Sequence, residues 1–403
     1  MSRLALLAAL LAATLAAPAA HAQLAVRGET VHTMAGPPIR DGVVLVRDGR
    51  VERVGPASQV AIPAGYRVLT AKVVTPGLVD AHSVVGLAGM LGQAHDQDQL
   101  DRGGDAVQPE LRAIDAFNAA DDLVAWLRDY GVTTVHTGHG PGALASGQTM
   151  VVKTRGSVAD DARSVVDSAA MVAFTLGPSV AANFRTAGTR ARGVAVLRAQ
   201  LLRAQEYARK EKTPGQARDL RLEALARVLD GTYPALVTAQ RSTEILAALR
   251  LAREFGFRLV LDGAAEAYQV VEPIRAAGVP VILHPTMVRT NGETEGATLE
   301  TARRLRDAGI TVALQSGYEP YVPKTRVVLF EAAAAAANGL AFQDALRTIT
   351  LDAARVIGAD KRVGSLEPGK DGDLALFDGD PFEYTTHVCG VVIEGQVVSE
   401  RCK

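Results

Sequence analysis

The chain has 403 residues, 48% of them hydrophobic but only 4% aromatic, with 22% charged and a formal net charge of -1 at pH 7. That balance is ordinary for a soluble enzyme-like protein with a core of Ala, Val and Leu, and it gives no basis for a nucleic-acid or anionic-membrane partner. The length accommodates two or three domains, or one barrel with an appendage.

Residues 1–22 read as a signal peptide: Arg3 supplies the positive start, residues 4–17 are an unbroken apolar run, and Ala20-His21-Ala22 has the small-x-small cleavage pattern. A membrane anchor is the competing reading, but the run is shorter than the roughly 20 residues a spanning helix needs. The mature chain is expected to begin near Gln23 and to be exported, periplasmic or secreted, with no membrane span after cleavage.

Residues 24–71 are short-period and turn-rich. VVLVRDGRVERVG alternates apolar and polar side chains around Asp48-Gly49, a hairpin signal. DLALFDGDP and VVIEGQVVSE, turning at Glu394-Gly395, repeat the pattern at the other end. One small β-domain built from both termini is expected, residues 23–74 with 362–403, and residues 75–361 form an α/β unit between them.

That unit opens on KVVTPGLVDAHSVVGL. Its apolar run, broken by Thr75-Pro76-Gly77, predicts a buried strand delivering His82 at its C-terminal end. Alternation follows: helix 121–130, strand 131–136, strand 150–153, a mostly helical 192–229 broken at Thr213-Pro214-Gly215, strand 235–238, helix 243–255, strand 258–261 and helix 267–277. Strand 279–284, helix 299–308, strand 311–314 and helices 327–338 and 342–358 complete it. Repeated βα units favour a parallel sheet.

Asp80-Ala81-His82-Ser83 resembles the opening motif of the amidohydrolase superfamily, metal-dependent hydrolases of carbon–nitrogen bonds, in which the first strand ends in His-x-His. Here Val84 stands in the second histidine's place. The tail ALRTITLDAARVIGADKRVGSLEPGKDGDLALFDGDPF is similar to the end of the imidazolonepropionase-like members, and LRAIDAFN and SGQTMVVKTRG resemble a periplasmic-type branch. The resemblance covers nearly the whole mature chain. It implies a TIM-like (β/α)8 barrel inserted in a β-sandwich, with its chemistry at the C-terminal mouth of the strands.

A hydrolytic metal site needs about three to five converging His, carboxylate or carbamylated Lys ligands. His82 is present. The family's next positions read Thr238 and Gln240, then Asp262-Gly263 without a histidine, then Ser316 and Gly317 where an aspartate is usual, with Glu319 the nearest carboxylate; AAMVAFTLGPS offers no bridging residue. This residue count favours no cofactor and a catalytically impaired pseudoenzyme that binds a small ligand, an active amidohydrolase paralogue or a second copy of itself. The alternative is an active hydrolase whose zinc or other divalent-metal site is rebuilt from His82, His136, His139 and His284. His82, His136 and His284 each end an apolar strand and are expected at the mouth. Histidines of this kind also serve as loop caps and packed side chains.

Glu319 and Lys153 are the remaining catalytic candidates, although a strand-end lysine ordinarily faces solvent. The tract of His95, Asp96, Asp98, Asp101 and Asp105 lacks the spacing of a calcium loop and reads as a solvated acidic loop. Gly138, Gly140 and Gly142 are explained by a tight turn as well as by a phosphate cradle. The spacing of the two cysteines, Cys389 and Cys402, is not that of a zinc ribbon; in an exported protein they suggest a disulfide. Counting outward from a turn at Glu394-Gly395 brings Cys389 opposite Glu400, two residues short of Cys402, a gap that a bulge or fraying would close.

Overall fold

The computed structural model describes residues 23–155, 164–210, 217–284, 290, 292–318 and 327–403. The leader segment, the break at Thr213-Pro214-Gly215 and Glu319 lie outside the described residues.

Strands β1 (Leu24–Val31), β2 (Ile39–Arg47), β3 (Arg50–Pro56) and β4 (Arg67–Pro76) open the chain. The β2–β3 turn has positive φ at both Asp48 (52°) and Gly49 (80°). This left-handed pair matches the twist of the flanking strands, which is why Asp-Gly marks the hairpin.

Eight strands then form a barrel, β5 (Leu78–Ser83), β6 (Val132–Gly138), β7 (Ala145–Lys153), β9 (Val172–Thr175), β10 (Ala235–Ala239), β11 (Leu259–Gly263), β12 (Val281–Leu283) and β13 (Val312–Leu314), paired in that order. A short β8 (Val165–Asp167) pairs with β7 outside this path. A parallel bridge between Ser83 and Gly317 brings the last strand back to the first.

One strand departs from the parallel expectation: β7 runs antiparallel to both β6 and β9. Residues 139–144 alone link β6 to β7, and a parallel return needs a crossover of a dozen residues or more. So short a link leaves only the hairpin direction.

Helices α1 (Asp122–Asp129), α2 (Pro178–Asn183), α3 (Arg190–Arg209), α4 (Leu220–Leu229), α5 (Ser242–Phe255), α6 (Val271–Ala277), α7 (Thr301–Asp307), α8 (Val327–Ala337), α9 (Phe342–Thr348) and α10 (Leu351–Val356) connect and surround the strands. Local chemistry sets their ends. Asp121 caps α1 by accepting from the Leu123 amide, and α5 stops at Gly256, whose φ of 75° is a left-handed cap. The buried Ile245, Ala248 and Leu251 of α5 recur every three residues, giving one apolar stripe against the strands.

Inside the barrel, period-two alternation stacks two layers. The lower is apolar, including Val79, Val151, Leu236, Val260, Ile282 and Ala313, and the segment from Ala353 to Val363 closes it from below. Two residues further toward the mouth from Val151, Leu236, Val260, Ile282 and Ala313 stand Thr149, Thr238, Asp262, His284 and Gln315, all buried. The site therefore sits on a packed apolar floor.

The chain ends in β14 (Leu374–Phe377), β15 (Val388–Ile393) and β16 (Gln396–Ser399). Strand β14 pairs antiparallel with β4, joining both termini into one seven-stranded sheet. The sheet curls until its two turns meet: Gly372 N donates to Gly49 O at 2.7 Å, and Gly395 N to Gly372 O at 3.0 Å. Leu24, Val26, Val44, Val46, Val74, Leu374 and Val392 fill the space between its halves, making a β-sandwich.

Cys389 and Cys402 are disulfide-bonded, with Cα atoms 3.9 Å apart. The register accounts for it. Ile393 faces Gln396 as counted, then a bulge between Val391 and Val392 slips the pairing by one, and beyond it Val388 exchanges both backbone hydrogen bonds with Lys403. The two-residue gap is thereby closed. The cysteines face each other as a non-hydrogen-bonded pair, the closest position in an antiparallel ladder.

Candidate functional site at the barrel mouth

The polar layer converges on Asp262. Its carboxylate, fully buried at the end of β11, accepts from His82 Nδ1 at 2.9 Å, Thr238 Oγ1 at 2.5 Å and Gln315 Nε2 at 2.7 Å. Four elements thus meet at one carboxylate: β5, β10, β11 and the residue just past β13. Burial opposes its charge, yet the His82 ring and the three donors hold the Asp262 carboxyl below the usual range.

Asp80 forms a second buried carboxyl. Its Oδ1 accepts from the amides of Ser316 (3.0 Å) and His82 (3.3 Å), and its Oδ2 from the Ser316 hydroxyl. Burial dominates here and pushes the group up to about 6, because no lysine or arginine among the described residues offsets the lost hydration.

The candidate histidines are placed differently from one another. His82 and His136 lie with ring centroids 5.7 Å apart, but His136 is committed on both sides, donating from Nδ1 to Ala81 O (2.7 Å) and accepting at Nε2 from Thr149 Oγ1 (2.6 Å). Burial and then the nearby His82 lower its pKa to about 3. His139 packs against Gly147, where a Cβ would come within 2.3 Å of the ring, and burial lowers it to about 4. His284 stands on the far side of Tyr318, whose ring lies 5.8 Å from His82 and 6.0 Å from His284. Its Nδ1 donates to Gln315 O at 3.3 Å and lies 3.8 Å from the buried Glu331 carboxylate.

Lys153 does not face the mouth. Because β7 runs backwards, its end lies at the opposite face, where Lys153 Nζ is 3.0 Å from Asp371 and bonded to Asp373, with the side chain fully buried. The strand direction turns a catalytic candidate into an ion pair with the β-domain. Glu319 lies outside the described residues.

Among the described residues no group of three or more His, Cys, Asp or Glu is arranged to hold a metal of the kind the family implies. His82 Nδ1 and both Asp262 oxygens are engaged with each other and with neutral donors, and His136 has no nitrogen left. Among the candidate residues, the buried atoms without a hydrogen-bond partner are His82 Nε2, Gln315 Oε1 and both ring nitrogens of His139. His82 and His139 make two histidines with a nitrogen to spare, short of the three protein ligands of a catalytic zinc site, and no third His, Cys, Asp or Glu among the described residues joins them in one group, so the described residues do not fit the metal.

The sequence singles out His82, Thr238 and the Asp262-Gly263 position but carries no sign that Asp262 organises them. Asp262 shows there only as a lone carboxylate ending the buried run Leu-Val-Leu. Gln240 was noted at a ligand position and instead fills the space over Gly263, where a Cβ would lie 2.5 Å from its Nε2. That nitrogen donates to Tyr318 Oη at 3.0 Å.

Residues 104–399 match the amidohydrolase family model. The chain is 23% identical to an imidazolonepropionase of Solibacter usitatus, covering 92% of this chain and 96% of that one, and 26% identical to an imidazolonepropionase of Sphingopyxis alaskensis, covering 88% and 92%. An amidohydrolase structure from Thermotoga maritima superposes with a TM-score of 0.87 at 30% identity, over 94% of this chain and 100% of that one. A putative prolidase from Bifidobacterium longum shares the fold at 17% identity, with a TM-score of 0.58 over 93% and 94%.

Proposed function

The chain belongs to the amidohydrolase family, and from that premise we propose that its barrel mouth binds a small molecule without performing the family's metal-dependent hydrolysis. One observation carries this reading: Asp262 is saturated by His82, Thr238 and Gln315, so the strand ends where such hydrolases gather ligands make a hydrogen-bond network instead. A carboxylate with three donors is already satisfied, and pulling it onto a cation would orphan Thr238 and Gln315. A metal site rebuilt on His82, His136, His139 and His284 finds less support, since His136 has both nitrogens occupied.

Elemental analysis of purified protein, with turnover of amides, dipeptides and lactams under zinc, manganese or iron supplementation, tests the reading. Metal well below one equivalent and no metal-stimulated hydrolysis are expected. Near-stoichiometric metal, or turnover abolished by chelator and by His82→Ala, overturns it.

The same proposal includes export, supported by the apolar leader and by the Cys389–Cys402 bridge, which suits an oxidising compartment. Pairing with an active paralogue or a second copy is part of it too, and light scattering of the protein alone and mixed with a family hydrolase reads that out.

A further inference from the structure

The face of the barrel opposite the mouth carries a second concavity. The ends of α5, α6 and α10, with the links into β11, β12 and β13, enclose a groove of about 1150 Å³. A drug-sized pocket has about 300–1,000 Å³, so room is not limiting. The floor is apolar, formed by Leu249, Phe257, Ile274, Val279, Ile310 and Val356, and Thr311 is its one uncharged polar side chain. Gly256, Gly278 and Gly309 keep it open, since a Cβ on any of them would meet nothing within 4 Å.

Every charged residue lining this groove is an arginine: Arg250, Arg253, Arg258, Arg275 and Arg355. Two are matched, Arg275 by Glu272 and Arg355 by Asp352 at 3.2 Å. Arg258 donates to the neutral Thr232 carbonyl at 3.1 Å and keeps its charge uncancelled. Arg250 and Arg253 are exposed and have no ion pair or hydrogen bond among the described residues, and the adjacent Glu254 is held by Arg198 at 2.8 Å. A helix C-terminus carries about half a negative charge, which accounts for Arg253, Arg275 and Arg355 in the last turns of their helices. Arg250 lies before that turn and Arg258 beyond it, so the groove keeps a positive surplus.

Leu246, Leu249, Arg250 and Arg253 fall at i, i+3, i+4 and i+7 of α5, so one helix face brings two aliphatic side chains and two free guanidiniums to the same groove. We propose that the groove binds the anion of a long-chain carboxylic acid, its alkyl chain along the floor and its carboxylate at Arg250 and Arg253. Guanidinium and carboxylate pair through parallel hydrogen bonds. An acidic peptide would bring backbone N–H and C=O groups that an apolar floor leaves unpaired, and a second copy docked face to face would set the same arginines against each other. An alkyl carboxylate meets neither obstacle. This site is independent of how the mouth is read.

The test is isothermal titration calorimetry of the full mature chain with dodecanoate, octanoate and dodecyltrimethylammonium, each below its micelle-forming concentration. Burying one methylene is worth about fourfold in affinity, and about twofold where the groove covers half of it. Dodecanoate is therefore expected to bind at least tenfold more tightly than octanoate, and at least tenfold more tightly than the cation of equal chain length. Arg250→Glu combined with Arg253→Glu should weaken dodecanoate at least tenfold; should that pair fail to fold, Arg250→Gln and Arg253→Gln singly should each weaken it at least threefold.

Equal binding of dodecanoate and the cation overturns the proposal, as does equal binding of dodecanoate and octanoate. Dodecanoate affinity unchanged by the arginine substitutions places the binding elsewhere and overturns it too. A dimer in light scattering that the same substitutions abolish and dodecanoate does not dissociate would give the groove to a second copy instead. None of these outcomes bears on metal content or turnover at the mouth.

Discussion

Asp80→Asn should stabilise the protein at neutral pH, and the gain should vanish in acid. Burial moves the Asp80 carboxyl from 3.8 to about 6, so the folded chain holds this proton more tightly than the unfolded one. Between those two values folding takes up protons, and stability attributable to the group falls as pH rises; above about 6 the penalty is complete. Integrated over that interval, linkage gives about 3 kcal/mol.

Asparagine fits the site. Its Oδ1 keeps the Ser316 and His82 amides, and its Nδ2 donates to the Ser316 hydroxyl, which can rotate to accept. Asp262, whose depressed pKa has the opposite consequence, is present in both proteins and cancels in the difference. Urea unfolding of both proteins at about pH 4, 5, 6 and 7 reads this out. The variant should gain on the parent progressively, by about 3 kcal/mol from the acid end to neutrality. A difference that stays flat with pH, or that shrinks toward neutrality, refutes the claim that Asp80 is ionised against a burial penalty.

Three other expectations follow from particular contacts. Lys153→Met leaves Asp373 without its buried cation, while Asp371 keeps Arg362 at 2.9 Å, and should destabilise by about 3 kcal/mol in denaturant melts; a loss under about 1 kcal/mol would mean that the Asp373 carboxyl is solvated, protonated or taken over by Arg362. Thr149→Val removes the hydroxyl that donates to His136 Nε2 and accepts from Met171 N, for a cost of about 1–3 kcal/mol; an unchanged midpoint contradicts the bonding scheme. Cys402→Ser should cost about 3 kcal/mol on the chain-entropy model, and mass spectrometry of the unaltered protein alkylated without reduction should find no labelled cysteine, whereas the variant should carry one label on Cys389.

Much was legible before any coordinates, because it depends on neighbours in sequence. Both hairpin turns needed left-handed residue pairs, and Asp48-Gly49 and Glu394-Gly395 supply them with positive φ throughout. The apolar runs of the barrel segment gave most of its strands, and the disulfide followed from a register count corrected by slips of the ladder. The amidohydrolase fold was likewise carried by local motifs whose glycines and strand patterns do structural work.

What only the tertiary structure decided lies where distant residues meet. The direction of β7 depended on a link too short for a crossover, and it moved Lys153 from the candidate site to the opposite face, against aspartates 218 and 220 positions away (371 − 153 and 373 − 153). His82 finds Asp262 across 180 residues, and Gln315 reaches the same carboxylate from 53 residues further on. No local pattern encodes such a meeting. Each side chain reads as an ordinary polar strand end, and only closure of the barrel brings these ends onto one buried oxygen, where the lack of water makes every donor and acceptor count.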